Sequence, residues 1–147
     1  DGTNYFGWQR LSHGPSVQAE VEKSLSKVAN HKIELTCAGR TDSGVHGIGQ
    51  VVHFESEAVR DQKAWQMGCN TNLPDNISMR WIQKIDDKFH ARFSAKSRSY
   101  RYIILNQMTR PALYENYREQ KIGLRIVKLL GKTDPHAANL TDGGMRL

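Results

Sequence analysis

The residues best suited to chemistry are Arg40 and Asp42, set in the stretch Gly39-Arg40-Thr41-Asp42-Ser43-Gly44-Val45-His46-Gly47. They lie two apart, so in locally extended backbone the guanidinium and the carboxylate leave on the same side. A carboxylate beside a guanidinium stays ionised at neutral pH, as a nucleophile or general base must. The glycines of the stretch let the backbone take turns closed to other residues and approach a ligand closely. The same two residues could instead form a structural ion pair, or Asp42 an Asx-turn, that merely fixes the loop. Types and spacing leave both readings open.

Stepping outward, Ile33, Leu35 and Cys37 precede the loop, and Val51, Val52 and Phe54 follow it. These apolar runs predict strands over 33–38 and 50–55, with the loop between them. Before them, Val17, Val21, Leu25 and Val28 recur at helical spacing, with Ser16 as N-cap and Asn30 as stop. A second helix is predicted over 58–67, ending near Gly68, and a turn cluster over 72–76. Alternation then predicts strands over 77–85, 89–95 and 100–104. Residues 1–14 read as loop. Helices set among antiparallel strands indicate an α+β fold, with helices on one sheet face and the other free for a ligand.

The chain has 147 residues, enough for one domain with a real core, and 38% hydrophobic with 24% charged residues is ordinary for a globular protein. Mean hydropathy of −0.62 lies on the polar side. A net charge of +6 and a pI near 9.5 favour a polyanionic partner, since Lys and Arg neutralise phosphates and release counterions. Arg92, Lys96, Arg98 and Arg101 interleave with Phe93, Tyr100 and Tyr102, a pattern that can hold phosphates and stack bases, or equally a solvated strand edge with core aromatics. Cys37 and Cys69 form neither a disulfide framework nor a CxxC motif, which favours a reducing, cytosolic setting. No apolar run is long enough for a membrane helix, and no targeting signal is visible. His46 and His53, seven apart with no third ligand at a standard spacing, make poor zinc ligands. Toward the end, 124–130 predicts a short helix and 134–147 coil. Gly131-Lys132-Thr133 imitates a P-loop but has Ile126 where that motif needs glycine, so nucleotide binding is not expected there.

The chain resembles the N-terminal half of the bacterial tRNA pseudouridine synthase A family. The resemblance is carried by Asp1-Gly2-Thr3-Asn4-Tyr5-Phe6-Gly7-Trp8-Gln9-Arg10, Ser16-Val17-Gln18, and Ala38 with the Gly39–Gly47 stretch. It continues through Gln50-Val51-Val52-His53-Phe54, Asn72-Leu73-Pro74, Phe89-His90-Ala91-Arg92-Phe93 and Tyr100-Arg101-Tyr102. It implies a ferredoxin-like (RRM-like) pseudouridine synthase half over 1–111, with 112–147 an unmatched tail. It also implies an isomerase that detaches uracil from its ribose, rotates it and rejoins it through carbon, at tRNA positions 38 to 40 of the anticodon stem-loop. By position Asp42 matches the catalytic aspartate, attacking either the uracil ring or the ribose anomeric carbon. Arg40 would keep it ionised, and Tyr100 would pack on the flipped uracil. Arg60 matches a residue that helps extrude the target base, and Phe89, His90, Ala91, Arg92 and Phe93 match an RNA-contacting segment. On residue type alone Tyr100 equally suits a core tyrosine, Arg60 a solvated helix residue, and Arg92 a partner of Asp86 or Asp87. The family implies no metal or cofactor, a cytoplasmic location and a homodimer. Against its pattern, the chain opens inside the first strand, Met108 stands where a basic residue is expected, and the second half that closes the cleft is missing. Two further readings follow: an RNA-binding module without catalysis, or a decayed remnant of the enzyme.

Overall fold

A computed structural model describes residues 1–104 and 124–129, the last three residues of the first of these stretches and all of the second as backbone alone. The expectations for Met108, for 131–133 and for coil over 134–147 fall outside the described residues, and so does most of the tail expected over 112–147.

Helix α1 spans Val17–Ala29. It starts where the sequence places a cap: Ser16 is extended, and its Oγ accepts the Ala19 N–H at 3.3 Å. It stops at Asn30, whose φ of 60° is left-handed, a conformation asparagine tolerates. Its inner face presents Val21, Leu25 and Ala29 to Trp8, Ile33, Trp65 and Leu73. Leu25 is fully buried, so cutting it to alanine would cost about 2–5 kcal/mol.

Helix α2 spans Gln62–Asn72, four residues later than the predicted start and well past Gly68. Asp61 sets the start, its carboxylate accepting the Ala64 N–H. Gly68 does not stop the helix because it serves the packing of α2 on α1. A Cβ there would meet Val28 Cγ2 at 2.9 Å. One turn away, Ser24 Oγ of α1 donates to the Cys69 carbonyl at 2.8 Å.

The strands are shorter than the alternation suggests. Strand β1 is Thr36–Cys37, β2 is His46–Gly47 and β3 is Val52–His53, with β1 antiparallel to β3. Strand β4 is Ser99–Ile104, in place as predicted. The predicted helix over 124–130 is instead strand β5, Leu124–Leu129, which lies between β4 (antiparallel) and β2 (parallel). Periodicity cannot tell a short apolar run in a helix from one in a strand, and here pairing on both sides makes it a strand.

Neither 77–85 nor 89–95 forms a strand. Over the first, Asn70 takes the place of a partner strand: its side chain accepts the Met79 N–H at 2.8 Å and donates to the Met79 carbonyl at 2.9 Å. Over the second, the chain turns back on itself, with Ser94 N–H on the His90 carbonyl at 2.7 Å. The described residues thus make an α+β fold of two packed helices and two small sheets.

Candidate active site

The Asp42 loop rises from a fixed root. Ala38 is 4% exposed and its N–H meets the Val51 carbonyl at 2.8 Å. Gln50 Nε2 donates to the Gly39 carbonyl at 2.6 Å. At the tip, Val45 N–H returns to the Asp42 carbonyl at 3.2 Å, with Gly44 at φ +75° in the third place, as a type II turn requires. The tip is therefore a tight turn that begins at Asp42 itself.

Residues 1–10 hold the turn from outside. Trp8 N–H donates to the Thr41 carbonyl at 2.9 Å, and Gly44 N–H to the Tyr5 carbonyl at 3.1 Å. Ser43 Oγ adds a bond to Tyr5 O at 3.3 Å, and Gly2 N–H one to His46 Nδ1 at 3.1 Å. Tyr5 is anchored in turn, its hydroxyl donating to Asn76 Oδ1 at 2.9 Å. Gly7 lies so close that a Cβ there would stand 2.5 Å from the Thr41 carbonyl oxygen. The segment is itself pinned to α1, where Arg10 pairs at 3.2 Å with buried Glu22, whose other oxygen accepts the Leu35 N–H. Nothing in residues 1–10 alone announces this lacing, since the bonds from Gly2, Tyr5 and Trp8 to the loop each span more than 30 residues of chain.

Asp42 and Arg40 both stand exposed at the tip. The ion pairs between described side chains are Arg10–Glu22, Lys32–Glu34 and Asp1–His46, and the Asp42 carboxylate belongs to none of them. Tyr100 is 37% exposed on β4. Its register partner on β5 is Lys128, which itself pairs with Gly47. Tyr100 and the last residue of the loop motif therefore share one row of the sheet, two strand spacings or about 10 Å apart.

The segment from Phe89 to Phe93 divides into two faces. Ala91 is buried against Ala38, with Phe89 and Val51 packed beside them, so these residues buttress the loop's root. Arg92 and Phe93 are exposed, and His90 is half-buried between Phe93 and His53. Phe93 is 77% exposed, stacks on His90 at 4.2 Å and has the Arg92 guanidinium 5.9 Å from its ring centre. His90 lies 4.7 Å from His53, whose Nδ1 accepts the Ala91 N–H at 3.1 Å. Burial, and then the charge of His90, lower the His53 pKa, with Glu55 opposing. Arg60 lies exposed before α2, with Nη1 on the Val59 carbonyl at 3.1 Å, and no described contact joins it to the loop. Arg98, which the sequence offered only as one of a basic group, lies at the loop's root: its guanidinium donates to the Ala38 carbonyl. Among the described residues no group of three His, Cys, Asp or Glu side chains could hold a metal ion, and no helix is long and apolar enough to cross a membrane.

Known proteins are similar to this chain in sequence. A family model described as tRNA pseudouridine synthase matches residues 1–94. The chain is 59% identical over 113 residues to tRNA pseudouridine synthase A of Shewanella sp. (strain MR-4), covering 77% of this chain and 43% of that protein. It is 58% identical over the same shares to that of Shewanella baltica (strain OS155 / ATCC BAA-1091). Against that of Aeromonas salmonicida (strain A449) the identity is 56%, over 77% of this chain and 42% of the relative. The chain thus spans less than half the length of these curated relatives.

Proposed function

The chain belongs to the tRNA pseudouridine synthase family, and from that premise we propose that it converts uridine to pseudouridine in tRNA, in the anticodon stem-loop at tRNA positions 38 to 40. Asp42 is the nucleophile. Its exposed carboxylate, presented on a turn that two other segments hold in place, is the observation that carries this reading. The attack, on the uracil ring or on the ribose anomeric carbon, accompanies cleavage of the N1–C1′ bond. The base turns, a C5–C1′ bond forms, the bond to Asp42 breaks to return the carboxylate, the proton on C5 leaves and N1 takes one up, so the reaction is an isomerisation that needs no co-reactant. Arg40, exposed two residues before Asp42, is the orienting residue, and Tyr100 packs on the flipped uracil, a role supported by its place in the same sheet row as Gly47. Arg60 assists extrusion of the base, a step that costs a few kcal/mol of unstacking. His90, Arg92 and Phe93 meet the RNA, while Phe89 and Ala91 support them from within. The complete enzyme is read as a cytoplasmic homodimer with ferredoxin-like halves.

Tritium release from a tRNA transcript labelled at uracil C5 tests this directly. The parent chain is expected to release tritium, and Asp42→Ala to release none while binding tRNA nearly as well. Release by both forms would remove Asp42 from the mechanism. A second reading, an RNA-binding module without catalysis, is favoured by the exposed Arg92–Phe93 surface. It predicts salt-dependent tRNA binding with no release by either form. A decayed remnant would show neither, and no cooperative thermal transition.

A further inference from the structure

One side chain joins the loop, the outward-facing turn and the strand of Tyr100. Arg98 donates from Nε and Nη2 to the Ala38 carbonyl at 3.0 and 2.7 Å, and from Nη2 to the Arg92 carbonyl at 3.3 Å. Ala38 is the buried root of the loop, and Asp42 follows four residues on. Arg92 belongs to the turn that exposes Phe93. Arg98 itself directly precedes β4 and stands two residues before Tyr100. These three bonds all go to backbone carbonyls, so Nε and Nη2 of this exposed arginine serve the protein's own frame. A planar guanidinium holds two donors in fixed relation and always carries its charge, which makes such bonds short and directional.

Resting on the function proposed above, we propose that Arg98 is a positioning residue: it registers the RNA-facing turn against the root of the Asp42 loop, so that tRNA seated on Arg92 and Phe93 also sets the carboxylate. The role is mechanical, through Ala38, and requires no contact between Arg98 and the substrate. Lysine at this position would keep the charge but not the fork, and so would restore the effect only in part.

The test compares the parent chain with Arg98→Met, Arg98→Lys and Arg80→Met, the last an exposed arginine whose loss matches the change in charge. Single-turnover tritium release is expected to fall roughly 10- to 100-fold in Arg98→Met, the scale of a misplacement near 1 Å, and less in Arg98→Lys. Affinity for tRNA should drop no further than in Arg80→Met. Hydrogen exchange at the amides of Ala38, Gly44 and Val45 should be slowed by tRNA in the parent and not in Arg98→Met, while amides within α1 are unaffected by the substitution. A release rate equal to that of Arg80→Met would overturn the proposal, as would exchange that quickens uniformly through α1. If the parent releases no tritium, the catalytic reading fails separately. The exchange result then still decides on Arg98: slowing by tRNA that survives in Arg98→Met, or none in the parent, refutes the coupling.

Discussion

Replacing Gly7 by alanine tests whether the first ten residues and the Asp42 loop are one packed unit. Gly7 has φ +100°, a conformation that strains an L side chain by about 1–3 kcal/mol. The new Cβ would stand 2.5 Å from the Thr41 carbonyl oxygen and 3.1 Å from the Asp42 carbonyl carbon. Thr41 would have to retreat by about 1 Å to reach ordinary contact. That movement loosens the bond from Trp8 N–H, a contribution of about 0.5–1.5 kcal/mol. Gly44 supplies the control: its φ is +75° but nothing lies within 4 Å of a Cβ, so alanine there meets the backbone strain alone, about 1–2 kcal/mol. Urea unfolding of both variants, with slopes compared, should therefore show Gly7→Ala less stable than Gly44→Ala by about 1–2 kcal/mol. Gly7→Ala should also slow tritium release by about tenfold or more, since it displaces the residue before Asp42. Equal stability losses at the two positions would refute the close approach of segment and loop.

Two further outcomes follow from the outward turn. Because the His53 pKa is lowered in the folded chain, the unfolded chain takes up a proton first as pH falls. Stability is therefore full above the ordinary histidine value and declines as pH drops through it toward the folded value. Tm measured from pH 7.5 down to 5 should show this decline, and His53→Asn, which keeps an acceptor for the Ala91 N–H, should reduce it; an unchanged slope in that variant counts against His53. Phe93→Ala should alter stability by under about 0.5 kcal/mol, since the ring is mostly exposed, yet weaken tRNA binding by about 1–3 kcal/mol through lost stacking. A stability loss several times larger would mean that Phe93 belongs to the core.

What the sequence reveals here is local. Helix α1 follows from the spacing of Val17, Val21, Leu25 and Val28 and from the Ser16 cap, all of which act within a few residues. The Asp42 loop is legible as a loop for the same reason: its glycines break both neighbouring strands. Gly68 misleads because a glycine that ends one helix and a glycine that admits a second helix look alike in one dimension. The alternation over 89–95 misleads in another way, since a buried Ala91 beside an exposed Arg92 arises in a turn as readily as in a strand. Arg98 could be seen as basic but not as a clamp, because its acceptor at Ala38 is 60 residues away. Side chains that meet across such distances leave no periodic trace.

The lacing of residues 1–10 over the Asp42 turn also orders events in time. Helix α1 closes through contacts between near neighbours, which form fast, whereas Tyr5 meets Asn76 across 71 residues of chain. Contacts of that span carry a large loop-closure entropy and form slowly. The bond that anchors Tyr5, and with it the segment over the Asp42 turn, is thus expected to form after helix α1. A partly melted molecule is therefore expected to keep the signal of helix α1 while the segment over the Asp42 turn has already lost its anchor at Asn76.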